Sequence, residues 1–127
     1  MGLQAIPCIG EVKYGNKPFD HSWVEVNGEI YDASIYLSLE GYIADPIYKS
    51  YNIGSLSKEI GQYGVEQRLD ITARKVAETT IVDYMCGFPE NHNGLWDYVY
   101  KIGINVGIDI DINALKSKYA NTMRTLR

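Results

Sequence analysis

Apolar and polar residues alternate most clearly on either side of Asn27-Gly28, where HSWVEV precedes the dipeptide and EIYDAS follows it. Asn and Gly tolerate the positive φ of both central positions of a type I′ turn, so the pattern predicts antiparallel strands at about 20–26 and 29–35. Upstream, LQAIPCIGEVK is rich in strand formers and predicts a strand over 3–13, with Pro7 requiring a sheet edge or a strand start. The turn formers YGNKP separate it from the hairpin. Residues 36–66 follow neither a helical nor a strand period and read as irregular and partly helical.

From Asp70 the period becomes helical. Ala73, Val76, Ala77, Thr80 and Tyr84 recur at helical spacing, Asp70 can cap the start, and Gly87 with Pro89 ends the run, predicting a helix over about 70–86. Leu95, Trp96, Val99 and Ile102 predict a second over 94–104, and Ile112, Leu115, Tyr119, Met123 and Leu126 a third over 112–126. Strands followed by helices imply an α+β fold, with helices packed on one face of a small antiparallel sheet.

Composition refines this. At 127 residues, 46% hydrophobic and 22% charged, the chain is expected to form one domain, 1–127, with a buried core. It has no apolar run of membrane-spanning length, so no membrane association is expected. The net charge of -4 is uneven, because Lys116, Lys118, Arg124 and Arg127 occupy a final segment without acids. Their simplest reading is a solvated helix face, and with no recognition motif beside them no nucleic-acid partner is expected. Eleven tyrosines against two phenylalanines favour aromatic surfaces with a polar handle, as a peptide-sized groove would need. Two cysteines and no N-x-S/T acceptor point to a reducing compartment, and with no targeting segment a cytoplasmic location is expected.

The hairpin carries the candidate chemistry. Across a two-residue turn at 27 and 28, Trp23 opposes Asp32 and His21 opposes Ser34, so His21, Trp23, Glu25, Ile30 and Asp32 share a face. His21 and Asp32 are diagonal neighbours, about 7 Å apart along the backbone, and their side chains can meet. A carboxylate on one imidazole nitrogen fixes the tautomer and leaves the other nitrogen to take a proton from a nucleophile.

The run DHSWVEVNGEIYDAS resembles the H-x-W-x-E…Y-D strand pair of transglutaminase-like, papain-related cysteine enzymes, and GLQAIPCIGEV is similar to the strand before the histidine in that family. The resemblance covers about residues 2–34. It implies His21 as general base, Asp32 as orienting carboxylate and Trp23 as a wall residue at the substrate. It further implies amide hydrolysis or acyl transfer on a peptide or protein through a cysteine, without a cofactor or metal. In the family the nucleophile begins a helix upstream of the first strand, so by this resemblance the chain is N-terminally truncated and the expected cysteine is missing.

Cys8 lies in the following strand, as either a nucleophile brought near by strand adjacency or a small buried hydrophobe. Cys86, at the C-terminal end of a helix, is placed to disfavour a thiolate and reads as structural. Glu25 could pair with a base or be solvated, and His92 reads as a solvated loop residue. Two histidines 71 positions apart, without ligand spacing, give no metal site. The alternative function is an inactive peptide- or protein-binding module that keeps the hairpin. Oligomeric state stays open.

Overall fold

The structure, a computed structural model, describes residues 4–33, 45–65, 68–88 and 92–127. They form an α+β fold in two compact units. One comprises residues 1–77 and 124–127, the other residues 78–123.

The first unit is built on β1 (Ala5–Tyr14), β2 (Lys17–Val26) and β3 (Glu29–Tyr31). β1 and β2 are joined through Gly15, at φ 60°, and run antiparallel with Cys8 opposite Trp23 and Gly10 opposite His21. Asn27 and Gly28 take φ 54° and 79°, the primed-turn geometry their dipeptide predicts. The predicted register holds, with Val24 opposite Tyr31 and Glu25 opposite Ile30. β4 (Ile47–Tyr48) and β5 (Tyr51–Asn52) form a small hairpin, and Asp32 bridges to Ile47. β6 (Gln62–Tyr63) pairs antiparallel with β1 at Val12 and Lys13. β7 (Thr125–Leu126) pairs parallel with β1 at Cys8 and Ile9. Among the described residues, Ala5, Ile6 and Pro7 of β1 pair only with β2, in keeping with a residue that offers no N–H.

Alternation along β1 divides the core. Cys8, Val12 and Trp23 point to one face, joined by Tyr14, Phe19, Ile30 and Tyr63. Ile9 points to the other, where α1 (Ile71–Ala77) covers it with Ala73, Val76 and Ala77, together with Leu69. Asp70 fixes the start of α1 by accepting from the Ala73 N–H at 2.7 Å.

The second unit contains α2 (Ile81–Cys86), α3 (Trp96–Asn105) and α4 (Ile112–Tyr119), and its two ends are tied by the Ile81 N–H donating to the Thr122 carbonyl at 2.8 Å. No helix among the described residues is long and apolar enough to cross a membrane.

Several expectations are corrected. The single helix over 70–86 is two helices. Thr80 is extended, accepts from the Asp83 N–H at 3.0 Å and donates to the Asp83 carboxylate at 2.8 Å, a Thr-x-x-Asp box that starts a new helix. The third helix ends at Tyr119, and Thr125 and Leu126 instead fill the free side of β1, which makes the sheet mixed rather than antiparallel. The third strand stops at Tyr31, and the end of its predicted span, from Ser34, lies outside the described residues along with the rest of 34–44. In 45–65 short strands replace the expected partly helical segment. Lys49 and Ser50 make the β4–β5 turn with positive φ of 52° and 53°, a geometry their residue types do not announce.

Candidate functional site

His21 and Asp32 meet. His21 Nε2 lies 2.7 Å from Asp32 Oδ2, with the carboxylate fully buried and the imidazole 13% exposed. A buried carboxylate at this distance makes Nε2 the donor, leaving Nδ1 as the acceptor nitrogen. The carboxylate sits on a fixed backbone. The Asp32 N–H donates to the Ile47 carbonyl at 2.9 Å, and its carbonyl accepts from the Ile47 N–H at 2.8 Å. Phe19 supports the imidazole edge-on, ring centres 5.7 Å apart.

Tyr63 completes the arrangement. From β6 its hydroxyl donates to Asp32 Oδ2 at 2.8 Å, the oxygen that faces His21, and its ring stands edge-on to Trp23 at 5.1 Å. Burial, then the charge of Asp32 and the neighbouring Tyr14, pushes the Tyr63 phenol far above its ordinary value, so it remains a donor. Gly61 leaves room for the Tyr14 ring and Gly64 turns at φ 70°, so glycines flank this short strand for steric reasons.

Cys8 lies on the same face but in a different setting. It is fully buried, its thiol directed to the Ile6 carbonyl at 3.5 Å. Burial, followed by the negative charge of Glu25 and partly opposed by Arg127, pushes the thiol up to about 11. The Trp23 indole leans over Gly10, opposite His21, with Cη2 3.2 Å from where a Cβ would stand. Cys8 stands opposite Trp23 in the β1–β2 register, whereas His21 stands opposite Gly10.

Trp23 is itself core, 4% exposed, and its indole N–H donates to Glu25 Oε1 at 3.2 Å. Glu25, left open by the sequence, is held by Arg127, with Nε 3.1 Å from Oε1 and Nη2 2.7 Å from Oε2. These bonds hold the Glu25 carboxyl below its usual range. The pair flanks a cavity of about 430 Å³ whose walls include Trp23, Ile30 and Tyr63. Its size suits a small ligand group.

Cys86 and His92, both exposed, belong to the other unit. Among the described residues no three His, Cys, Asp or Glu side chains cluster as a metal site would require. Sequence reasoning misses Tyr63 and Arg127. Tyr63 is hidden in a segment without period, where its strand-forming type between two glycines is the available signal, and Arg127 reads as one of the solvated bases of a helix. The chain matches no protein-family model, curated protein or solved structure.

Proposed function

We propose that the chain is a transglutaminase-like module that supplies the proton-transfer half of a cysteine-type acyl-transfer site, acting on an amide of a peptide or protein. The observation that carries this reading is the 2.7 Å contact of His21 Nε2 with the buried Asp32 carboxylate, which leaves Nδ1 as the base. In the reaction Nδ1 takes the proton of a thiol, the sulfur attacks the amide carbonyl, and the C–N bond breaks as the imidazolium returns the proton to the departing amine. Water or a second amine then takes the acyl group from the thioester. Cys8, buried and with its thiol pushed up to about 11, is a poor source of that thiolate. The reading therefore takes the thiol to be supplied by a second molecule, which the test provides.

The test supplies the thiol. With a p-nitrophenyl ester as acyl donor and N-acetylcysteine as nucleophile, the folded protein accelerates thiolysis, and His21→Ala lowers the rate by about 10²-fold, the usual yield of a positioned base. Cys8→Ser leaves it unchanged. If His21→Ala keeps its native circular dichroism and the full rate, the proposal is wrong.

A second reading, a catalytically silent peptide-binding module, is favoured by the full burial of Cys8 and by the cavity walled by Trp23 and Arg127. It requires peptide binding that survives both His21→Ala and Asp32→Asn, with no thiolysis by the unmodified protein.

A further inference from the structure

We propose that Tyr63 is a positioning residue of the dyad, a phenol that holds the Asp32 carboxylate in place and tempers its pull on His21. The inference rests on the reading of His21 as base and Asp32 as its orienting carboxylate.

The geometry is specific. Asp32 Oδ2 accepts from His21 Nε2 at 2.7 Å and from the Tyr63 hydroxyl at 2.8 Å, so both groups act on one oxygen. Tyr63 is itself fixed by the pairing of β6 to β1, where it stands opposite Val12, and by the Trp23 ring at 5.1 Å. Its placement is therefore set by the sheet, and the carboxylate oxygen is held between two elements remote in sequence. A hydroxyl donating to a carboxylate draws negative charge from it. The attraction of the carboxylate for the imidazolium is thereby reduced. A base must surrender its proton to the leaving amine as readily as it takes one from the thiol, and too strong a carboxylate would hold His21 in the charged form.

Among the described side chains, the titratable and charged groups on this face of the sheet are Cys8 and Tyr14 from β1, Glu25 from β2, Asp32 beyond β3, Tyr63 from β6 and Arg127 beyond β7. Glu25 is engaged by Arg127. The group that bonds His21 directly is Asp32, and the phenol bonds that same carboxylate.

The experiment is a ¹H–¹⁵N NMR titration of the His21 ring in the full chain. Tyr63→Phe keeps the ring and removes the donor, and raises the His21 pKa by about half a unit or more, as expected when a charge-assisted bond to its partner is lost. Tyr48→Phe, which removes an exposed hydroxyl on β4, leaves it unchanged. A His21 pKa in Tyr63→Phe that is unchanged or lower overturns the proposal. If that variant does not fold, site-specific 3-fluorotyrosine at position 63 provides a more acidic donor and lowers the His21 pKa, and no shift there overturns the proposal equally. In the thiolysis assay the acid limb of the pH–rate profile moves with the NMR value. A shifted titration in a protein that shows no thiolysis would end the functional reading while leaving the positioning role intact.

Discussion

A Cβ on residue 10 would stand 2.6 Å from the carbonyl oxygen of Arg127, so Gly10 is what allows the last strand to lie against β1. Gly10→Ala should push that carbonyl away and loosen both the Arg127 N–H bond to the Ile9 carbonyl, 3.0 Å, and the grip on Glu25. The expected loss is about 1–3 kcal/mol in urea unfolding, the usual cost of overpacking, with faster hydrogen exchange at the Arg127 amide. Unchanged stability and protection would show that the contact is relieved without cost.

Cys8 gives an alkaline signature. Its folded pKa is raised to about 11 from the 9.0 of an ordinary thiol, so its contribution is complete below pH 9 and is lost as pH rises toward 11. The alkaline decline in stability should be shallower in Cys8→Ala. Iodoacetamide at neutral pH should modify exposed Cys86 first and reach Cys8 only through unfolding. Prompt labelling of Cys8 in the folded chain would contradict the burial.

Arg127→Ala tests the ion pair at the opposite end of the pH scale. Arg127 depresses the Glu25 pKa below 4.5, so the pair's contribution is present above that value and is lost as pH falls through the depressed one. The stability gap between wild type and Arg127→Ala should therefore be open at neutral pH and close on acidification. Because the guanidinium side chain is 37% exposed, the gap is modest and narrows in salt. A gap independent of pH would assign the effect of Arg127 to packing alone.

In the helical unit, Thr80→Ala removes the cap of α2 and should cost about 1 kcal/mol. Gly94→Ala should cost more, because residue 94 sits at φ 59° with the Met85 carbonyl where a Cβ would go. Chemical denaturation followed by helical circular dichroism ranks the two, and the reverse order would count against this account of the α2–α3 connection.

The hairpin is legible in the sequence because its determinants are local. Asn27-Gly28 sets the turn, the turn sets the register, and the register puts His21 and Asp32 on one face before any tertiary contact is considered. Tyr63 and Arg127 reach the same face through pairings with β1 from distances of roughly 50 and over 100 residues along the chain, and no local pattern encodes such a partner. The same distinction explains the misread helices. Met123 and Leu126 fit a helical stripe, yet the free side of β1 claims Thr125 and Leu126. At Thr80 the local signal exists, a Thr three residues before an acid, but the uninterrupted apolar spacing masks it.

Arg124 Nη1 donates to the Val76 carbonyl at 3.4 Å, so the points where the chain leaves the sheet unit and rejoins it are within one side chain's reach. Residues 78–123 are thus a guest inserted into a host whose own ends at that junction are bridged by one arginine side chain. Replacing the guest by a few glycines and serines asks little of the host, since closing a short gap costs far less entropy than spanning a long one. The β7 strand, and with it Arg127, would then sit within a short loop of α1, and the dyad could be studied in a chain about two thirds as long.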